Sequence, residues 1–331
     1  MIVVTGGAGF IGSYLVYELN KLGIDQIYIV DSFRDSSKWL NLRGLKYREV
    51  ISPERFWNEE ERNRFKRADS IFHLGACSST TEKNMDFLYR NNYQFSCMLL
   101  DFAAYNNINF YYASSAATYG AGEQGYEDSH EVVHKLRPLN PYGYSKQLFD
   151  QHVLAQKHLP PAWAGFKFFN VFGPNEYHKA NMRSVVHQAF EQIQTTGRVK
   201  LFESYKNGFA HGEQKRDFVS VFDTCQMMLA LFEVRAQKVS GIFNIGSGKA
   251  RSFNDLVHAT FKAMNKPANI EYIPMPENLR SQYQYFTEAP MQKLQKQCPQ
   301  IECMSLEASV EKYVQGYLMS ECAYTDVKIL R

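Results

Sequence analysis

The stretch TGGAGFIGS, residues 5–13, constrains this chain more than any other. It follows the apolar run IVVT (2–5) and leads into the amphipathic IGSYLVYELNKLG, so it joins a strand to a helix. Gly6, Gly9 and Gly12 fall at three-residue spacing, and counting from Gly7 gives G-x-G-x-x-G. Glycines in that position allow a tight turn and let backbone N–H groups approach a pyrophosphate at the positive end of a helix. Nineteen residues after Gly12, ending a second strand QIYIVD (26–31), stands Asp31. An acid there can accept a hydrogen bond from an adenosine ribose. Strand, turn, helix and acid together predict a dinucleotide site.

The same alternation continues along the chain. SIFHLGA (70–76), INFYYASS (108–115) and GFKFFNVFG (165–173) read as strands. An amphipathic stretch at 83–106 and YGYSKQLFDQHVLAQ lie between them as helices. Strands that are apolar on both sides and separated by helices predict an α/β fold, with a parallel, doubly wound sheet covered on both faces. After Gly173 the pattern loosens. Helices at 183–194 and 253–264 mix with short strands at 200–204, 241–246 and 270–274, and 203–215 reads as a loop. Residues 1–173 therefore form the expected dinucleotide-binding part, with later returns to the sheet, and 174–331 a smaller substrate-binding lobe.

Composition narrows the function. The 331 residues are 45% hydrophobic and 21% charged, with a net charge of +3, too small to argue for nucleic acid or an acidic membrane. No apolar run is long enough to span a bilayer. The opening MIVVTGGAG has no basic leader or small-residue cleavage site, so no secretory signal is expected. Cys77, Cys97, Cys225, Cys298, Cys303 and Cys322 form no C-x-x-C pair and no metal-ligand spacing. They read as ordinary thiols in a reducing cytoplasm, and no metal is expected.

Chemistry enters at NPYGYSK (140–146). On a helix Tyr142 shares a face with Lys146, four residues on, whereas Tyr144 points elsewhere. A tyrosine ionises near pH ~10, and a neighbouring ammonium lowers that value, which would make Tyr142 a proton acceptor. YASSAATYG (112–120) ends the fifth parallel strand and puts Ser114 and Ser115 where ligands of such sheets sit. A hydroxyl there can hold an oxygen passing between alcohol and ketone. In DSFRDSSKW, Asp31 alone would repel a 2′-phosphate, but Arg34 and Lys38 can accept one. NADP is the expected cofactor, with NAD as the alternative.

In this order the glycine turn, Ser-Ser-Ala-Ala-x-Tyr-Gly and Tyr-x-x-x-Lys resemble the extended short-chain dehydrogenase/reductases that act on nucleotide sugars. HLGACSSTTE (73–82), NNYQFS (91–96), FFNVFGPNEYHK (168–179), KRDFV (215–219) and QYQYFT (282–287) resemble, within that group, the ADP-L-glycero-D-manno-heptose 6-epimerase family over nearly the whole chain. The resemblance implies a Rossmann-like fold and inversion at C6″ of an ADP-heptose through a ketone. It also implies one tightly bound, recycled NADP per subunit, a homo-oligomer, and a role in the lipopolysaccharide inner core.

Residue roles follow from the same resemblance. Ser115 would hold the reacting oxygen, and Tyr142 and Lys179 would each serve one stereoisomer. Lys146 would bind the cofactor ribose. From the residues alone Lys179 is a loop lysine that binds solvent or phosphate. Phe10, Ile11, Asp31, Ser32 and Lys38 fall at cofactor contacts, as do Leu74, Gly75, Ala76, Cys77 and Ser78, and then Asn91, Val171 and Lys179. Asn170, Asn181, Gln188, Phe202, Glu203, Ser204, Tyr205, Arg216 and Tyr283 fall at substrate contacts, with Arg216 suited to a pyrophosphate. Ala116 and Ala117 replace the acid/base pair of related dehydratases and cannot move protons. Ser32, Pro53, Asn181 and Gln188 depart from the family pattern; His187, beside Gln188, is a possible substitute for a histidine, and the loop before KRDF is longer than usual. The alternatives are an epimerase of another nucleotide sugar, such as a UDP-hexose 4-epimerase, and a non-catalytic dinucleotide sensor.

Overall fold

The computed structural model describes residues 1–33, 36–280, 283–320 and 323–326. Arg34, Gln282 and Cys322 lie outside them. Strand β1 (Ile2–Thr5) is buried at every position and stands inside a parallel sheet. On one side it pairs with β2 (Ile27–Val30), which pairs with β3 (Glu49–Ile51). On the other it pairs with β4 (Ser70–His73), followed by β5 (Asn109–Ser115) and β6 (Trp163–Phe168). Ile2 is level with both Ile27 and Ser70. The strand order thus reverses beside β1, which opens a ligand crevice at the carboxyl ends of β1 and β4. This is the expected Rossmann-like, doubly wound architecture.

Alternation along β1 builds two cores. Ile2 and Val4 join Leu15, Val16, Met228 and Leu229 on one face. Val3 joins Leu99, Phe110, Phe149 and Val153 on the other. With both faces buried, the strands have no polar side to show, which is why they read as unbroken apolar runs.

The predicted strand 165–173 is two strands. At Phe169 the chain bends, and β7 (Asn170–Phe172) leaves the main sheet. After β8 (Val199–Phe202), β9 (Lys215–Ser220) pairs parallel with β7. β10 (Ser240–Ile245) returns to the main sheet as its seventh strand, beside β6. β11 (Ala250–Ser252) runs antiparallel to β9, and β12 (Ile270–Ile273) parallel to β8. Sequence reasoning did not expect β3, β9 or β11. They are short or charged, and long-range pairing rather than local pattern makes them strands.

The amphipathic stretch at 83–106 also differs from one continuous α-helix. Helices Met85–Leu88 and Phe95–Tyr105 flank a π turn at Tyr89–Gln94. The wider turn accompanies a buried Asn92, whose side chain brackets the backbone of Cys77. No helix of the described residues is long and apolar enough to cross a membrane.

Candidate active site

The glycine turn sits where β1 enters the helix Phe10–Lys21. A Cβ on Gly12 would lie 2.2 Å from the Gly6 carbonyl oxygen, so only glycine lets the helix start this close to the turn. Gly9 caps the helix without a side-chain acceptor, which leaves the first N–H groups for a ligand. Gly6 adopts φ +68 and packs against Leu74–Gly75 beyond β4. A pyrophosphate fits such a cradle, and a side chain on these glycines would fill it.

Asp31 is buried and latched to the turn. Its carboxylate accepts from Ala8 N at 2.9 Å and Ser32 N at 2.7 Å, and pairs with the Lys38 ammonium at 2.8 Å. Lys38 therefore compensates the charge of Asp31 in place. Pro53, where the resemblance expects a lysine, begins a one-turn helix capped by Ser52.

The floor beyond β4 hangs on His73. Its Nδ1 meets Thr5 Oγ1 at 2.7 Å and its Nε2 meets Ser96 Oγ at 2.8 Å. Ser96 donates onward to the Asn92 carbonyl, so its lone pair takes the Nε2 proton and Nδ1 accepts from Thr5. Thr5 in turn accepts from Gly75 N at 3.1 Å. Burial pushes the imidazole down to about 3, so the ring is neutral. Asn92 then holds Cys77 N and O, each at 2.9 Å. Asn91, expected at the cofactor, donates to Asn92 at 2.9 Å.

Ser115, Tyr142 and Lys146 converge at the end of β5. Asn140 caps the helix Pro141–Ala155 by accepting from Gly143 N at 2.8 Å. A Cβ on Gly143 would be 2.7 Å from the Ala117 carbonyl, so glycine lets this helix press against the turn after β5. Tyr142 faces Ser115, whereas Tyr144 is exposed. The expected lowering of the Tyr142 pKa by Lys146 is not present. Burial raises it, and the hydrogen bond with Ser115 opposes the rise. The Lys146 ammonium instead donates to the Ala113 carbonyl at 2.8 Å, and burial brings it down to about 8 against the attraction of Asp150. Ser114 does not face the site. It points inward and donates to Asp150 at 2.8 Å.

Lys179 lies on the turn Tyr177–Met182, with its ammonium 5.6 Å from the centre of the Phe10 ring. Burial lowers its pKa against the pull of Glu176. Two asparagines fix the loop. Asn41 Nδ2 donates to Ala8 O at 2.9 Å and Asn175 O at 3.1 Å, and Asn175 Nδ2 donates to Ser13 Oγ at 2.9 Å. The buried Glu176 accepts from Ser184 Oγ at 2.7 Å and closes the loop from behind. Asn92, Asn175 and Glu176 fall inside segments that carry the family resemblance and Asn41 does not, but in none of the four does the sequence say which group the side chain holds.

The substrate-side residues form two groups. Arg216, on β9, is buried with its guanidinium 5.1 Å from the Tyr283 ring, and Asn170 is level with Phe218 of the same strand. Phe202 ends β8 and Glu203 follows it, both carbonyls accepting from Gln214, and the Tyr205 ring stacks on Arg280 at 3.8 Å. Gln188, on the helix Val185–Thr196, reaches back to the lysine loop, donating to Asn181 O at 3.3 Å and Arg183 O at 2.7 Å. His187 is buried against Tyr177, and its Nδ1 makes no hydrogen bond among the described residues, with a Glu191 carboxylate oxygen 3.8 Å away.

The remaining expected cofactor residues follow these elements. Ile11 is in the first helix, Ala76 and exposed Ser78 are beyond β4, and Val171 is on β7.

Comparison with known proteins agrees with this geometry. Residues 2–246 match the model of the NAD dependent epimerase/dehydratase family. An ADP-L-glycero-D-manno-heptose-6-epimerase of Fusobacterium nucleatum is 48% identical over 98% of this chain and 100% of its own length. One from Nitratidesulfovibrio vulgaris is 46% identical over 96% and 98%. The crystal structure of the Helicobacter pylori ADP-L-glycero-D-manno-heptose-6-epimerase matches with TM-score 0.77 at 30% identity, covering 95% of each chain. A glycine cradle, a Ser/Tyr/Lys centre and full-length relatives at this identity lead to one conclusion: the chain belongs to the NAD dependent epimerase/dehydratase family, and within it to the ADP-L-glycero-D-manno-heptose-6-epimerases.

Proposed function

We propose that this enzyme interconverts the C6″ epimers of ADP-glycero-D-manno-heptose through a ketone, using a resident NADP, and so supplies heptose to the lipopolysaccharide inner core. The observation that carries the two-sided chemistry is the setting of Lys179. It is a half-buried lysine with a lowered pKa, against Phe10 at the glycine cradle, on a different segment from Tyr142. Inversion at an exocyclic carbon presents the oxygen in two orientations, and a proton carrier for each serves both.

When bound, the nicotinamide supplies the hydride acceptor and donor. Gly6, Gly9 and Gly12 with the first N–H groups of the helix would hold its pyrophosphate, and Asp31 its adenosine ribose. Lys146 would hold the other ribose and Ser115 the reacting oxygen, while Tyr142 or Lys179 takes or returns its proton. The Asp31–Lys38 pair supports NADP over NAD, because the ammonium compensates the carboxylate that would repel a 2′-phosphate. On the substrate side, Arg216 binds the ADP pyrophosphate, with Asn170, Tyr283 and residues 202–205 around the nucleotide sugar. We read residues 174–331 as mainly the substrate lobe, and the enzyme as a cytoplasmic homo-oligomer.

The test is to mix purified protein with ADP-D-glycero-D-manno-heptose, add no cofactor, and follow the sugar by proton NMR. Drift to a mixture of C6″ epimers supports both the reaction and the resident cofactor. No change, even with NADP added, removes the heptose assignment.

A further inference from the structure

Beneath the reacting centre lies a buried charge pair with no part in the scheme above. Asp150, at 0% exposure, meets Lys167, also at 0%, with Nζ to Oδ2 at 2.7 Å. Two buried charges cost several kcal/mol each in desolvation, roughly what their attraction returns, so stability alone does not explain them. Their neighbours are informative. Asp150 is one helical turn beyond Lys146 and two beyond Tyr142, on the face turned to β5. It accepts from Tyr112 OH at 3.1 Å and Ser114 Oγ at 2.8 Å, both on β5. Lys167, on β6, also donates to Thr118 Oγ1 at 2.6 Å, and Thr118 donates to the Ser115 carbonyl at 2.8 Å.

We propose that Asp150 and Lys167 are a positioning pair for the epimerase: through Ser114, Thr118 and the helix they fix Ser115 relative to Tyr142, and the Asp150 carboxylate keeps the charge on Lys146. The pair bridges the three elements that must stay in register, β5, β6 and the tyrosine helix. The groups facing Lys146 are few. Tyr142 and Asp150 lie on its own helix, His73 and Cys77 come from β4 and beyond, and the Ala113 carbonyl comes from β5. His73 is neutral, and Asp150 makes the larger favourable contribution to the Lys146 ammonium, ahead of Cys77.

The inference rests on the reading of Lys146 as a cofactor-side ammonium, so the test reads cofactor binding without any sugar. Full-length protein stripped of dinucleotide is titrated with NADPH, followed by its fluorescence, from neutral to alkaline pH. The parent should lose affinity as pH rises past about 8. Asp150→Asn should move that midpoint down by about one pH unit, about a fivefold weaker complex at the parent's midpoint and about tenfold well above it. Asp150→Asn with Lys167→Met removes both charges, so it keeps the fold and should keep the lowered midpoint. Asp150→Glu retains the carboxylate and should restore the parent's midpoint.

A scaffold role would weaken binding equally at every pH and leave the midpoint where it was, and that result overturns the proposal. So does a glutamate variant whose midpoint falls as far as the asparagine variant's. A wrong sugar assignment leaves this titration untouched, whereas a parent that never binds NADPH overturns the cofactor reading and the inference together.

Discussion

Asn175 donates its Nδ2 hydrogen to Ser13 Oγ at 2.9 Å, joining the loop that carries Lys179 to the helix that follows the glycines. The same amide reaches Thr325 at 2.9 Å, from a backbone at φ +73. Its Oδ1 also accepts from Thr325 N at 3.4 Å, so Asn175→Ala loses these side-chain bonds and strains the left-handed backbone, for a cost of about 1–3 kcal/mol. Asn175→Gly loses the bonds but accepts the backbone, so it should cost less. Urea denaturation of the two variants measures the difference, and equal losses would show that the backbone conformation contributes nothing.

Tyr142→Phe and Lys179→Met should each lower turnover by about 10²–10⁴-fold, since each removes one proton carrier. The informative reading is the half-reaction. Each variant should still form bound reduced nicotinamide, seen by its absorbance, from one C6″ epimer and not the other. Equal loss with both epimers in either variant defeats the two-carrier scheme.

Gly143→Ala reverses the usual helix rule. Alanine in a helix interior normally stabilises by about 0.5–1 kcal/mol over glycine. Here its Cβ would stand 2.7 Å from the Ala117 carbonyl, so the helix must retreat from the turn that carries Ser115. A loss of about 1–3 kcal/mol with a larger fall in kcat than rise in KM is expected. A more stable, fully active variant would show that the close approach is unimportant.

Acid should destabilise the protein through histidines that are buried neutral. Burial holds His73 near 3 and His178 and His187 near 4, against an ordinary value of 6.5. Below 6.5 the unfolded chain binds protons that the native fold refuses, so stability is complete above that pH and falls as pH drops toward 4. Each such ring contributes about 1.4 kcal/mol per pH unit. His187→Leu removes one of these rings and should flatten the decline. Denaturation midpoints across that range measure it, and a profile as steep as the parent's would place the acid sensitivity elsewhere.

Lys38→Met leaves Asp31 without its ammonium. Affinity for NADP should fall about tenfold more than affinity for NAD, since the bare carboxylate repels the 2′-phosphate. Parallel titrations with the two reduced cofactors decide it, and an unchanged ratio removes Lys38 from the choice.

What could be read from the chain was local. The glycine spacing, the apolar strands and the Tyr142–Lys146 register depend on neighbours a few positions away. Ser114 and Ser115 show where that ends. Both sit at a strand end, but β5 continues through Ser115, and its alternation turns Ser114 inward to Asp150 and Ser115 outward. Asn92 and Asn41 were beyond reach for another reason. Each works through partners distant in sequence, Cys77 and Asn175, and an amide's composition does not say which backbone it will bind. The raised Tyr142 pKa was missed because spacing shows a neighbouring charge but not the loss of water around the phenol.

One side chain, Asn41, holds the Ala8 carbonyl of the cradle and the Asn175 carbonyl of the lysine loop at once, across 134 residues of sequence in the second case. The two regions are therefore tied to one another by a single amide. A dinucleotide lying between them, as proposed above, would leave no faster than that tie opens. A catalyst that ends each cycle with its hydride carrier unchanged can tolerate such confinement, whereas one that had to exchange the carrier every turnover would be throttled by it.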